Sequence, residues 1–177
     1  WHLSFVGFVI APLSAVPLGY AAASEALLWV MIAAAALIGA VSLGQLARRD
    51  PPAPLRPLLA IHLSPPSLFG LVALQLGWTG AAMGFAALGA LILAALVIRA
   101  RYVVAAGFSP FWGAFTFPLA AFANLVLALG NGQGDLMRLL GALLLVAATG
   151  AIPWIALKVM QAWAKGQLGA KTNAATA

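Results

Sequence analysis

The chain of 177 residues is 64% hydrophobic and only 7% charged, and its formal net charge is +6 at pH 7. So large an apolar fraction excludes a soluble domain of this length and predicts an all-α integral membrane protein. The chain has no cysteine, and its two histidines, His2 and His62, are far apart. This pattern indicates no disulfide framework, no cysteine nucleophile and no metal site, so we expect neither a metal nor a cofactor.

Six apolar runs of roughly 20 residues are long enough to cross a bilayer as helices. In chain order they cover residues 3–20, 26–47, 55–77, 80–98, 109–129 and 136–164. Charged or turn-forming sequences separate them, most clearly "RRDPPAPLRP" and "NGQGD", and none of the runs alternates as barrel strands do. Residues 1–165 are therefore predicted to form one transmembrane domain. The polar, alanine-rich residues 166–177 are predicted to be a flexible cytoplasmic tail.

Basic residues lie almost entirely on one side of the predicted membrane. Eight of the nine lysines and arginines follow the second or fourth run or lie near or beyond the end of the sixth: Arg48, Arg49, Arg56, Arg99, Arg101, Lys158, Lys165 and Lys171. Only Arg138 lies on the other side. The positive-inside rule then predicts a multi-pass protein of the cell membrane, built of antiparallel helix hairpins, with both ends in the cytoplasm. Topology accounts for the net charge, so we expect no nucleic-acid partner.

Proline distinguishes the odd runs from the even ones. The odd runs carry Pro12, Pro17, Pro57, Pro65, Pro66, Pro110 and Pro118, whereas the even runs carry only Pro153. A proline frees a backbone carbonyl, which membrane helices tolerate where they face protein or a wet cavity. We therefore predict proline-kinked inner helices that line a pore and regular outer helices around them. Candidate pore-lining residues on the odd runs are Pro12, Ser14, Ser64, Pro65, Pro66, Ser67, Thr116 and Pro118.

No acidic residue, lysine or arginine lies in the middle of any predicted span. A proton relay, an ion-paired carrier centre or a hydrolytic site would need such groups within the membrane. Glu25, Asp50 and Asp135 lie in separate connections, so we do not expect an enzyme. For His62, a hydrogen-bonded side chain near the cytoplasmic end of a helix is the preferred interpretation over a ligand or proton carrier.

Two segments carry motifs of a known family. One is the break Ser64-Pro65-Pro66-Ser67, and the other is "WGAFTFP", which runs from Trp112 to Pro118 with one more residue after the tryptophan than the usual pattern. In these segments the chain resembles the slow-type plant anion channels and the bacterial tellurite-resistance and C4-dicarboxylate transporters. The resemblance implies ten helices in five hairpins around a central pore, of which this chain would hold helices five to ten. It also implies a homotrimer.

The resemblance further implies a gate, because a phenylalanine on the family's ninth helix plugs the pore. By motif position this residue is Phe117, with Phe115 as the second candidate. We therefore expect a channel for small inorganic or organic anions in contact with membrane lipid. The alternative is a proton-coupled carrier or exporter of tellurite, sulfite or C4-dicarboxylates, whose carboxylates would lie in the other helices. An integral membrane enzyme is a remote alternative.

Overall fold

The computed structural model describes residues 6–171, together with the side chains of residues 6–169. This part of the chain is 86% helical and contains no strand, which confirms the all-α class. The α-helices are α1 (Ile10–Ala15), α2 (Ala21–Arg48), α3 (Ser64–Gln75), α4 (Thr79–Ile98), α5 (Ala100–Val103), α6 (Thr116–Gln133), α7 (Asp135–Ala164) and α8 (Leu168–Lys171). Three 3-10 helices cover Gly7–Val9, Ala53–Leu63 and Pro110–Phe115.

Five helical segments among the described residues are long and apolar enough to cross a membrane. They are Ala21–Arg48, Ala53–Gln75, Thr79–Ile98, Pro110–Gln133 and Asp135–Ala164. These segments correspond to the second to sixth predicted runs, and they fit a membrane protein with transmembrane helices.

The first predicted run does not form one continuous helix in its described part. Instead of one helix over residues 3–20, the described part from residue 6 onward holds a 3-10 turn and α1, which ends at Ala15. Pro17 has no N–H to continue the helix, and Gly19 adopts a positive φ of 90°. The chain therefore turns into α2 several residues earlier than predicted, and residues 3–5 lie outside the described part.

Two of the five spans change helix type part-way along. In the first, a 3-10 helix over Ala53–Leu63 continues as α3, and in the second a 3-10 helix over Pro110–Phe115 continues as α6. Pro65 and Pro66 have no N–H to bond the carbonyls of Ile61 and His62, so the α-helix cannot extend back through these residues, and 3-10 geometry precedes them. We call Ala53–Gln75 and Pro110–Gln133 the two-part spans.

The two-part spans lie inside the described structure, and α2, α4 and α7 surround them. Their 3-10 halves contact each other and their α-helical halves contact each other, so the two spans run side by side in the same direction. In the most apolar window of each span, 67% and 44% of the residues are buried, against 11%, 17% and 17% for α2, α4 and α7. We refer to α2, α4 and α7 as the outer helices.

Glycine allows α6 and α7 to pack closely. A Cβ at Gly130 would lie 2.6 Å from the Cα of Arg138, and one at Gly141 would lie 2.6 Å from the Cα of Leu127. The pairing of 130 with 138 and of 127 with 141 means that the helices run in opposite directions. The reversal occurs at Gly134, which has a φ of 97° and lies within the predicted break "NGQGD".

The predicted tail lies partly outside the described residues. Gly166, with a φ of 66°, follows the end of α7, and Leu168–Lys171 forms the single helical turn α8. Residues 172–177 fall beyond the described part, so flexibility of the tail stays a prediction.

Candidate functional site

Hydroxyl groups satisfy backbone carbonyls where the two-part spans change helix type. Ser67 Oγ donates to the Leu63 carbonyl at 2.7 Å, and Thr116 Oγ1 donates to the Gly113 carbonyl at 2.7 Å. A carbonyl at membrane depth needs such a partner because no bulk water reaches it. These serine and threonine side chains therefore stabilise the change from 3-10 to α-helix.

Most of the predicted pore-lining residues are packed inside the described structure. The buried ones are Pro12, Ser64, Pro65, Pro66, Ser67 and Pro118. Thr116 is half-buried and Ser14 is exposed. The Oγ of Ser64 is buried and has no hydrogen-bond partner among the described residues. The role of these residues as a pore lining stays a prediction.

The two candidate gate residues have different surroundings. Phe115 belongs to an aromatic cluster with Phe108, Trp112 and Trp154, in which its ring centroid lies 5.8 Å from that of Trp112 in an edge-to-face arrangement. Phe117 makes no ring contact with any described residue, and 44% of its surface is exposed. Phe115 is therefore a packing residue of the cluster, whereas Phe117 has room to change rotamer.

The uncovered side of α6 consists of Phe117, Ala120 and Asn124, which we call the open face. The spacing of three and then four residues places these side chains on one side of the helix. Phe117 and Asn124 are exposed and Ala120 is half-buried, whereas Phe122 and Leu125, on the other sides, are buried. Asn124 was not among the predicted site residues, although an amide in an otherwise apolar run was the signal that could have found it.

His62 lies before the start of α3, near the change of helix type. Its Nδ1 is 3.1 Å from the Leu59 carbonyl, which confirms the interpretation as a hydrogen-bonded histidine. Within residues 6–171, no group of three or more His, Cys, Asp or Glu side chains is placed to hold a metal ion.

A polar network joins the connection after α2 to that after α4. The Tyr102 hydroxyl donates to Asp50 Oδ1 at 3.0 Å, and the Arg56 guanidinium lies 4.0 Å above the Tyr102 ring. Arg56 Nε also donates to the Pro51 carbonyl at 3.1 Å. Desolvation first, and then the hydrogen bond to Asp50 and its negative charge, raise the pKa of the Tyr102 hydroxyl above its usual value. The network therefore favours a protonated Tyr102.

No family model matches the chain, and neither a curated protein nor a solved structure matches it. The resemblance to the slow-type anion channels therefore depends on the two motifs, Ser64–Ser67 and Trp112–Pro118. Each motif includes the residue at which a two-part span becomes α-helical, since α3 begins at Ser64 and α6 at Thr116. The motifs thus occupy equivalent places in two adjacent spans.

Proposed function

We propose that this chain forms part of an apolar pore for small anions, gated by Phe117, and that it belongs to the slow-type anion channel and tellurite-resistance family. The observation that carries this proposal is the open face of α6. An exposed ring and an exposed amide on an inner span are better suited to a wet cavity or to further protein than to lipid. The homotrimer, the kinked inner helices, the hairpins and the cytoplasmic ends belong to the same proposal.

The absence of charge along the two-part spans is compatible with conduction. A fixed arginine in the path would hold an anion, whereas passage requires binding that is weak enough for release. The two spans are parallel, so the positive ends of both helix dipoles lie on the side where Arg56 and Arg99 are found. This arrangement attracts anions to one mouth of the path without trapping them inside it.

Phe117 is proposed to close the path by excluding hydrated ions. Its half-exposed ring is free of the aromatic cluster, so a rotamer change would not break the packing of Trp112 or Trp154. Moving a side chain off a staggered rotamer costs about 1 kcal/mol. Opening therefore needs only a small input of free energy.

The test is anion flux into liposomes that contain the intact protein. We expect Phe117→Ala to raise chloride or nitrate flux on the order of fivefold, the factor that corresponds to ~1 kcal/mol. Phe115→Ala is the matched control because it removes a ring two residues away that belongs to the aromatic cluster. Its flux should stay close to that of the parent at equal amounts of reconstituted protein.

Three outcomes would contradict parts of the proposal. Unchanged flux in Phe117→Ala would contradict the assignment of Phe117 as the gate. A reversal potential that follows the potassium gradient would contradict selectivity for anions. Uptake that saturates with substrate concentration and follows a pH gradient would indicate a proton-coupled carrier of tellurite, sulfite or C4-dicarboxylates and not a channel.

A further inference from the structure

A groove with a volume of about 570 Å³ lies between α2, α4 and the first two-part span. This volume is within the range of about 300–1,000 Å³ that is usual for ligand sites. Its apolar lining includes Ile32, Gly39 and Leu46 of α2 and Leu88, Ile92 and Ala95 of α4. A Cβ at Gly39 would have no neighbour within 4 Å, so the space beside this glycine is open.

The groove is long and has one apolar end and one polar end. From Ile32 to Leu46 it follows α2 for roughly 20 Å, at the helical rise of about 1.5 Å per residue. This is longer than one leaflet, which is half of the ~30 Å hydrocarbon core. The rings of Phe69 and Phe85, with centroids 5.5 Å apart, line the apolar end of the groove, away from the C-terminal ends of α2 and α4. Asp50, Arg99 and Tyr102 line it where α2 and α4 end.

The chain segments at the polar end of the groove are rich in arginine, although Arg99 is the only arginine that lines the groove itself. Residues 48–56 and 99–102 together contain five arginines and a single acid, Asp50. The Asp50 carboxylate accepts the hydrogen bond of the Tyr102 hydroxyl. The Arg99 guanidinium makes no hydrogen bond or ion pair with any side chain in the described part of the chain, so it is available to a ligand.

We infer that this groove binds an anionic phospholipid, with one acyl chain along α2 and α4 and the phosphate at Arg99. An apolar slot that is longer than one leaflet and ends at Arg99, in a segment rich in arginine, complements an anionic lipid in both shape and charge. Basic pockets between membrane helices on the cytoplasmic side are typical sites for anionic head groups, and the planar guanidinium suits a phosphate. This inference is independent of anion conduction.

The test measures lipid retained by the intact protein in detergent. The protein is incubated with dioleoyl phosphatidylglycerol or with phosphatidylcholine of the same chains, passed through gel filtration, and analysed by mass spectrometry for lipid per chain. We expect retention of phosphatidylglycerol to exceed that of phosphatidylcholine by about fivefold, since each arginine near the surface contributes ~1 kcal/mol. Arg99→Gln should remove most of this difference, whereas Arg101→Gln, outside the groove, should keep it.

A second pair of variants tests the acyl-chain slot. Gly39→Phe places a ring in the open space of the groove and should reduce retention of both lipids. Gly44→Phe is the matched control, because Gly44 lies on the same helix outside the groove and also has no neighbour within 4 Å of a Cβ.

Several results would overturn the inference. Equal retention of the two lipids would show that the groove does not recognise the net negative charge of the head group. No effect of Arg99→Gln would show that the phosphate does not lie at Arg99. Loss of an oligomer in Gly39→Phe would assign the groove to a second copy of the chain. Displacement of the lipid by millimolar inorganic phosphate, with no effect of Gly39→Phe, would indicate a site for the free anion.

Discussion

The two-part spans and the outer helices differ in a way that reverses the rule for soluble proteins. The two-part spans are the less apolar by hydropathy, yet they are the more buried, whereas α2, α4 and α7 are more apolar and mostly exposed. Lipid is as apolar as leucine, so a membrane protein gains little by hiding aliphatic side chains. What must be hidden are prolines, hydroxyls and freed carbonyls, and these determine which helices lie inside.

The largest expected effect comes from removing the Phe122 ring, which packs between a two-part span and the outer helix α4. Phe122 is 3% exposed, and its Cε2 would lie 2.5 Å from a Cβ at Gly89 of α4. Phe122→Ala should lower the free energy of unfolding by about 3–5 kcal/mol, because the cavity is enclosed. Leu143→Ala removes a side chain on α7 that is 58% exposed and should cost less than about 0.5 kcal/mol. Unfolding in mixed micelles measures the free energy of unfolding of both variants. Equal losses would contradict the division into buried two-part spans and exposed outer helices.

A smaller effect is expected at the close contact between α6 and α7. Gly141→Ala brings a Cβ to 2.6 Å from the Leu127 Cα, and a backbone atom cannot move aside as a side-chain tip can. We expect a loss of about 1–3 kcal/mol from this overpacking. Gly150→Ala on the same helix, where a Cβ has no neighbour within 4 Å, should be neutral or slightly stabilising. If the two variants unfold at the same temperature, the close packing of α6 against α7 at Gly141 is contradicted.

The smallest effect concerns Tyr102, where an outer helix meets the start of a two-part span. Its pKa is raised, so the folded protein holds the phenolic proton more tightly than the unfolded chain does. The stabilisation that the Tyr102 hydroxyl contributes is fully present below its ordinary pKa of 10.0. It is lost as the pH rises through the higher pKa of Tyr102 in the folded protein. Tyr20→Phe leaves Tyr102 as the only tyrosine of this sequence, and its absorbance at alkaline pH reports the titration.

The variant Asp50→Asn separates the causes of that shift. Removing the carboxylate charge should lower the pKa of Tyr102 towards its usual value. Desolvation, the largest cause, remains in the variant, so the pKa should stay above that value. A pKa that does not change in Asp50→Asn would contradict the contact between Tyr102 and Asp50.

Much of the fold could be predicted from hydropathy because a membrane span needs a long apolar run. The boundaries of α4 and α7 were predicted to within one residue, since Gly77 and Arg99 flank α4 and Gly134 and Gly166 flank α7. Residues 3–20 were less predictable. Their hydropathy indicated a span, but Pro17 and Gly19 end α1 at Ala15. Hydropathy measures transfer to lipid and does not register a missing backbone donor.

The candidate site was only partly predictable. Motif position placed Phe117 first and Phe115 second as the gate, but it could not indicate which side chains surround each ring. Phe115 packs with Trp112 and, through it, with Trp154, a residue 39 positions further along the chain. Such a partner comes from another helix, so local sequence does not indicate it.

The sequence by itself predicted an all-helical chain whose long apolar segments fit a membrane protein, five of the six segments, and the concentration of proline in alternate runs. Each of these follows from local composition and backbone chemistry. Only the tertiary structure decided that the two-part spans run side by side, that Phe117 is uncovered while Phe122 is buried, and that a groove separates α2 from α4. These features depend on which residues distant in the chain meet, and that depends on how side chains of several helices fit together.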